Sequence, residues 1–122
     1  MDMPVNKARK TEKPWGYELL FGHTDRYVGK ILFVRKGQRL SLQYHRIKDE
    51  TIFVQRGKVK FDFGKADGAM ITGVLSDGDS IRVEPFSRHR IEALEDSTLL
   101  EVSTPELDDV ERLSDDYGRA GR

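Results

Sequence analysis

Between residues 17 and 103 no segment holds an apolar period near 3.6 residues, while short runs of β-forming residues follow one another closely. Such runs fall at 17–21, 27–35, 39–45, 50–55, 58–63, 70–75, 80–83, 89–94 and 98–103. Turn chemistry separates them: Lys36-Gly37, Arg56-Gly57, the glycine-bounded stretch 64–68, Asp77-Gly78-Asp79, the proline loop 84–87 and Glu95-Asp96-Ser97. The run at 58–63 sets Val59, Phe61 and Phe63 on one face and Lys58, Lys60 and Asp62 on the other, a half-buried antiparallel strand. About nine short strands and no helix before residue 105 specify an all-β sandwich or barrel.

Three segments follow from this pattern. Residues 1–13 are charged and aperiodic, and read as a flexible arm. Residues 14–104 form the barrel, with the single tryptophan, Trp15, closing one end of its core. Residues 105–122 form a tail in which Leu107, Val110 and Leu113 have helix-like spacing. The acidic pairs Asp108-Asp109 and Asp115-Asp116 read as solvated tail.

One hairpin concentrates the chemistry. Gln43 and His45 share a strand face because alternate side chains point the same way, and Glu50 opens the next strand after a short turn. An amide oxygen, an imidazole and a carboxylate are ligand types for a borderline divalent cation. A fourth ligand has to come from elsewhere in the chain. Of the three histidines, His23 sits in a turn, so His89 is the candidate. With no cysteine, thiolate sites and disulfides are excluded. Lys+Arg 21 against Asp+Glu 21 leaves no bias toward nucleic acid or an anionic membrane. No run approaches the roughly 18–20 apolar residues of a membrane span, so a cytoplasmic protein is expected.

The spacing Gly37, five residues, Gln43, Tyr44, His45, four residues, Glu50, six residues, Gly57 resembles the first motif of the cupin superfamily. Gly78, Pro85 and His89 resemble its second motif, although Phe86-Ser87 replaces the glycine usual in that loop. Lys13-Pro14-Trp15-Gly16, the run from Arg39 to His45, and Asp116-Tyr117-Gly118-Arg119 resemble the isomerase domain of type II mannose-6-phosphate isomerases. Ile47 and Thr51-Ile52 stand where that family usually carries histidine or tryptophan. The resemblance implies a single jelly-roll cupin barrel that interconverts an aldose and a ketose phosphate. It also implies one divalent metal ion on Gln43, His45, Glu50 and His89, zinc first, with manganese, iron, nickel or cobalt as alternatives.

Isomerisation moves a proton between adjacent carbons, and a cation must hold the phosphate. Arg39, by parity with Gln43, Arg88 beside His89, and Lys30 on a neighbouring strand are the candidates for that cation. Lys30, Glu92 and Tyr44 are equal candidates for the proton shuttle. The competing reading is a cupin that binds a sugar or sugar nucleotide without turnover. An iron oxygenase or oxalate-degrading cupin ranks below both, because Gln43 stands in place of a histidine. A homodimer is expected, as for other small single-cupin proteins.

Overall fold

In a computed structural model, residues 2–121 are described and form strands and loops with no helix. The strands in chain order are β1 (Arg9–Lys13), β2 (Gly16–His23), β3 (Val28–Val34), β4 (Leu42–Tyr44), β5 (Glu50–Arg56), β6 (Lys58–Gly64), β7 (Ile71–Ser76), β8 (Ser80–Val83), β9 (Arg88–Ala93), β10 (Ser97–Ser103) and β11 (Glu111–Ser114). They build two antiparallel sheets, ordered β1-β2-β3-β10-β5-β8 and β11-β4-β9-β6-β7. The all-β architecture read from the turn spacing is therefore the fold. The run at 39–45 is shorter than expected: β4 keeps three residues, and Arg39 makes an isolated bridge to Glu92.

The interior changes character along single strands. On β3, β5 and β10 the inward positions carry Leu32 and Val34, Ile52 and Val54, and Leu99, which pack with Val59, Phe61, Ile91, Ala93 and Trp15. Two residues along, at the same parity, β3 presents Lys30, β10 Glu101 and β5 Glu50. One end of the barrel is thus a dry core, and the other is lined by charged groups. Gly57 closes the β5–β6 hairpin at φ 114°, where an added Cβ would run into Ser97 and Asp96.

Both chain ends join the sheets. The last five residues of the expected flexible arm form β1, pairing with β2 from Arg9↔Leu20 to Lys13↔Gly16. The helix expected in the tail is instead strand β11, paired to β4 with Arg112 opposite Gln43. One or two turns of helix nucleate poorly, whereas the edge of β4 offers a ready ladder of backbone partners. The acidic pairs are the fasteners of this tail. Asp116 bonds Arg39 and Arg90, Asp115 bonds Arg119, and the Asp109 carboxylate accepts from the backbone N–H groups of Arg46, Ile47 and Lys48.

Candidate metal centre

Antiparallel pairing brings the sequence-distant residues together. Gln43 on β4 lies opposite His89 on β9, and β5 delivers Glu50 from the facing sheet. Glu50 Oε1 lies 3.4 Å from His45 Nε2 and 3.3 Å from His89 Nε2, with all three side chains 2–3% exposed. One ligand atom from each falls within 4.8 Å of the others, a separation that can hold a metal ion.

Backbone carbonyls set both imidazoles. His45 Nδ1 donates to the Asp109 carbonyl at 2.5 Å and His89 Nδ1 to the Ser87 carbonyl at 3.1 Å. A carbonyl only accepts, so each neutral ring carries its proton on Nδ1 and turns a bare Nε2 toward Glu50. Phe61 lies parallel to the His89 ring at 9° and holds its plane. His45 Nε2 is buried and makes no hydrogen bond among the described residues, which leaves its lone pair available to a cation. A hollow of about 20 Å³, bounded by Ser41, Gln43, Glu50, His89 and Glu101, has room for one ion or water.

Gln43 needs one adjustment to serve as a fourth donor. Its Oε1 accepts from Ser41 Oγ at 2.8 Å, and its Nε2 lies 3.5 Å from His89 Nε2. Half a turn of the amide exchanges the ends, presenting oxygen to the cluster and N–H to the serine hydroxyl.

Two residues that the sequence reading passed over complete the electrostatics. Lys48, in the turn between His45 and Glu50, buries its Nζ 2.9 Å from Glu101 Oε1 and 3.2 Å from Glu50 Oε2. Burial works to lower the Lys48 pKa, but Glu101 and Glu50 outweigh it and raise it, so the ammonium keeps its charge. Burial and the neighbouring Glu50 push the Glu101 carboxyl up to about 7. Burial also works against an ionised Glu50, but Glu101, the two imidazoles and Lys48 hold it well below the usual carboxylate range. Of the two carboxyls, Glu101 is the one that takes up a proton first as pH falls, and Glu50 faces the histidines as an anion.

A cavity of about 470 Å³ opens over His45 and Gln43, walled by Trp15, Glu18, Lys30, Lys48 and Glu101 and by residues of both chain ends. Lys30 lines it and pairs with Glu18 at 3.6 Å. The other two expected phosphate ligands lie elsewhere. Arg39 precedes β4, outside the strand whose parity was to aim it inward, and binds Asp116 at 2.6 Å. Arg88 neighbours His89 and so faces the opposite side of β9, where it donates to the Lys65 and Gly68 carbonyls. Among the shuttle candidates, Lys30 alone is on the cavity wall. Tyr44 stacks on Phe86, and Glu92 sits across from Lys60 on the sheet. His23 is exposed.

The chain matches, over residues 2–115, the family described as mannose-6-phosphate isomerase C-terminal. It belongs to that family of cupins. No curated protein sequence matches it. Its fold is similar to that of CapF, the capsular polysaccharide assembling protein of Staphylococcus aureus (19% identity, TM-score 0.71), covering 87% of this chain and 32% of CapF. An RmlC-like cupin from Shewanella frigidimarina is similar at 18% identity and TM-score 0.69, covering 80% of this chain and 84% of that one. Bacillus subtilis oxalate decarboxylase is similar at 13% identity and TM-score 0.74, covering 93% of this chain and 34% of that one. The cupin domain thus spans about a third of CapF and of the decarboxylase.

Proposed function

We propose that this cupin is a metal-dependent isomerase acting on a sugar phosphate of the mannose 6-phosphate type. The observation that carries the reading is the convergence of two imidazole Nε2 atoms on one ionised carboxylate, each ring fixed by a backbone carbonyl. Family membership supplies the reaction class. Gln43, His45, Glu50 and His89 are assigned as the ligands of one divalent ion. Two nitrogens and two oxygens suit zinc, with manganese, iron, nickel and cobalt as the other occupants. Manganese has a precedent on this fold in the Mn(II) centres of oxalate decarboxylase. When bound, the ion supplies Lewis-acid polarisation of a sugar carbonyl or hydroxyl. Glu18 and Lys30 offer exchangeable protons on the cavity wall, and Lys48 with Glu101 holds Glu50 in place beneath it.

The test is metal analysis of the purified protein followed by an assay coupling mannose 6-phosphate to fructose 6-phosphate. Expected are one ion per chain and a turnover that chelation removes and added metal restores. A metal-loaded protein without turnover sinks the isomerase reading and leaves a sugar-binding cupin. Ile47, 64% exposed at a rim position where the family usually carries histidine, favours that second reading.

The expected homodimer is assigned to the outer face of the six-stranded sheet. There Ile31, Leu100 and Phe53 form one cross-strand row beside Val102, which is 54% exposed. Light scattering that finds a monomer at high concentration refutes it.

A further inference from the structure

Lys48 stands in the turn between two residues of the metal cluster, and its side chain runs inward rather than to solvent, at 5% exposure. The backbone around it is pinned. Its own N–H donates to the Asp109 carboxylate at 2.9 Å, and the next N–H, of Asp49, donates to Thr104 Oγ1 at 3.0 Å. The ammonium ends between two acids, 2.9 Å from Glu101 Oε1 and 3.2 Å from Glu50 Oε2. A cation so close to a metal ligand opposes the metal by like charge, so metal affinity alone does not account for it.

The two oxygens of Glu50 have different partners. Oε1 faces the histidines, 3.4 Å from His45 Nε2 and 3.3 Å from His89 Nε2. Oε2 is buried as well, and Lys48 lies on its side of the carboxylate. A metal ion that chelates both oxygens has to draw Oε2 away from the ammonium, leaving that buried charge to Glu101 alone. A metal ion content with one oxygen leaves the pair intact. Zinc accepts two nitrogens and two oxygens in a tetrahedron, whereas harder ions such as manganese favour more oxygen donors. The hollow beside Glu50, of about 20 Å³, holds one ion or water, so water on that side cannot make up the missing donors.

We propose that Lys48 is a positioning residue for the metal: it holds Oε2 of Glu50, restricts the carboxylate to one oxygen, and thereby selects zinc over manganese. This deepens the ligand assignment of the preceding subsection and rests on it, but not on turnover. A lysine that merely neutralised two buried acids would leave metal choice untouched, and that difference is measurable.

A site with these donors binds zinc more tightly than manganese in any case, so the readout is the change in the ratio of the two affinities. A change of nearby charge acts on both dications alike and cancels in that ratio. Chelator-treated protein is titrated with zinc and with manganese against a chromophoric chelator. In Lys48→Met/Glu101→Gln, which removes the ammonium together with the acid it would strand, the zinc-to-manganese ratio is expected to fall about tenfold. Lys48→Met alone should show the same fall, with thermal melts of the zinc-loaded protein confirming its fold. Glu101→Gln alone keeps Lys48 on Glu50 and should keep the wild-type ratio. Cobalt(II) as a spectroscopic stand-in should give strong visible bands in wild type and weaker ones in the double variant, as the freed oxygen raises the coordination number. An unchanged ratio in both Lys48 variants overturns the proposal, and so does an equal fall in Glu101→Gln. Wild type that takes up neither ion overturns it together with the ligand assignment. Zinc uptake without turnover, with the ratio shifted as expected, supports it and sinks the isomerase reading alone.

Discussion

Replacing Asp109 by alanine tests whether the tail organises the metal cluster. The carboxylate accepts from three consecutive backbone N–H groups, Arg46 at 3.1 Å, Ile47 at 2.7 Å and Lys48 at 2.9 Å, and so clamps the turn that joins His45 to Glu50. Burial works against the charged form, yet these three donors depress the Asp109 pKa. Hydrogen bonds to a charged acceptor contribute about 1.5–3 kcal/mol each, but water replaces the acceptor for the exposed residues 46 and 47. Allowing about 1 kcal/mol for each of those and about 1.5 kcal/mol for the buried Lys48 N–H gives a loss of about 3.5 kcal/mol. The same turn orients two metal ligands, so zinc affinity should fall about 10- to 100-fold. The bond from His45 Nδ1 goes to the residue 109 backbone carbonyl, which alanine keeps. The variant therefore separates the clamp from the tautomer lock. Urea unfolding and zinc competition with a chromophoric chelator read the two effects. A stability change under about 0.5 kcal/mol with unchanged zinc affinity would mean that the turn holds itself, and the clamp argument would fail.

Three further outcomes follow from buried charge and backbone geometry. Lys48→Met leaves Glu50 and Glu101 facing each other without a cation and should cost about 3–5 kcal/mol in metal-free protein at pH 8. The folded value of Glu101, about 7, lies above the ordinary 4.5, so its ionisation disfavours folding as pH rises through that window. Thermal melts should show a smaller loss for Lys48→Met at pH 5 than at pH 8, and a loss independent of pH would refute the pairing. Phe86 holds φ 67°, in the left-handed region, at the loop position where cupins usually place glycine. Phe86→Gly should exceed Phe86→Ala in stability by about 1 kcal/mol, since both lose the stack on Tyr44 but only alanine keeps the backbone strain. Asp115, lowered to about 2 by its bonds to Arg119, contributes stability that is complete above pH 3.8 and is lost as pH falls toward 2. The full linkage is about 2 kcal/mol, reduced to about 1 kcal/mol by the partial exposure of Arg119. The stability gap between wild type and Arg119→Gln should therefore close between pH 5 and 2, and a constant gap would disprove it.

The site was legible wherever it depended on local spacing. Gln43 and His45 differ by one strand period and Glu50 follows after a turn, and because hairpin geometry is short-range that spacing alone brings His45 and Glu50 within 3.4 Å. Parity failed where the strand was shorter than its apolar run, which is why Arg39 missed the interior. It also failed at Arg88, since adjacent residues on a strand cannot share a face. Glu101 was illegible for a different reason. In the run from Thr98 to Ser103, period-two reading puts Leu100 and Val102 inside and Glu101 out, yet Glu101 is 8% exposed and Val102 54%. An apolar outer face on the six-stranded sheet inverts the usual signal, and only the facing Lys48 and Glu50 make an inward carboxyl affordable.

The tail's attachments were not legible because its partners are distant in sequence. Asp109 meets its turn 61–63 residues away and Asp116 meets Arg39 77 residues away, contacts that no local pattern encodes. Their consequence is functional. Boundaries at 14 and 104 would remove Arg9, Lys13, Leu107, Val110, Arg112 and Arg119 from the cavity wall while leaving the core cluster, apart from Tyr117 packed against it, intact. Water would then reach His45, Lys48 and Glu101 directly, and the Lys48–Glu101 attraction would weaken with the rise in local dielectric. Residues of both terminal segments wall the charged cavity, so in this chain the end strands shape the cavity as well as the fold.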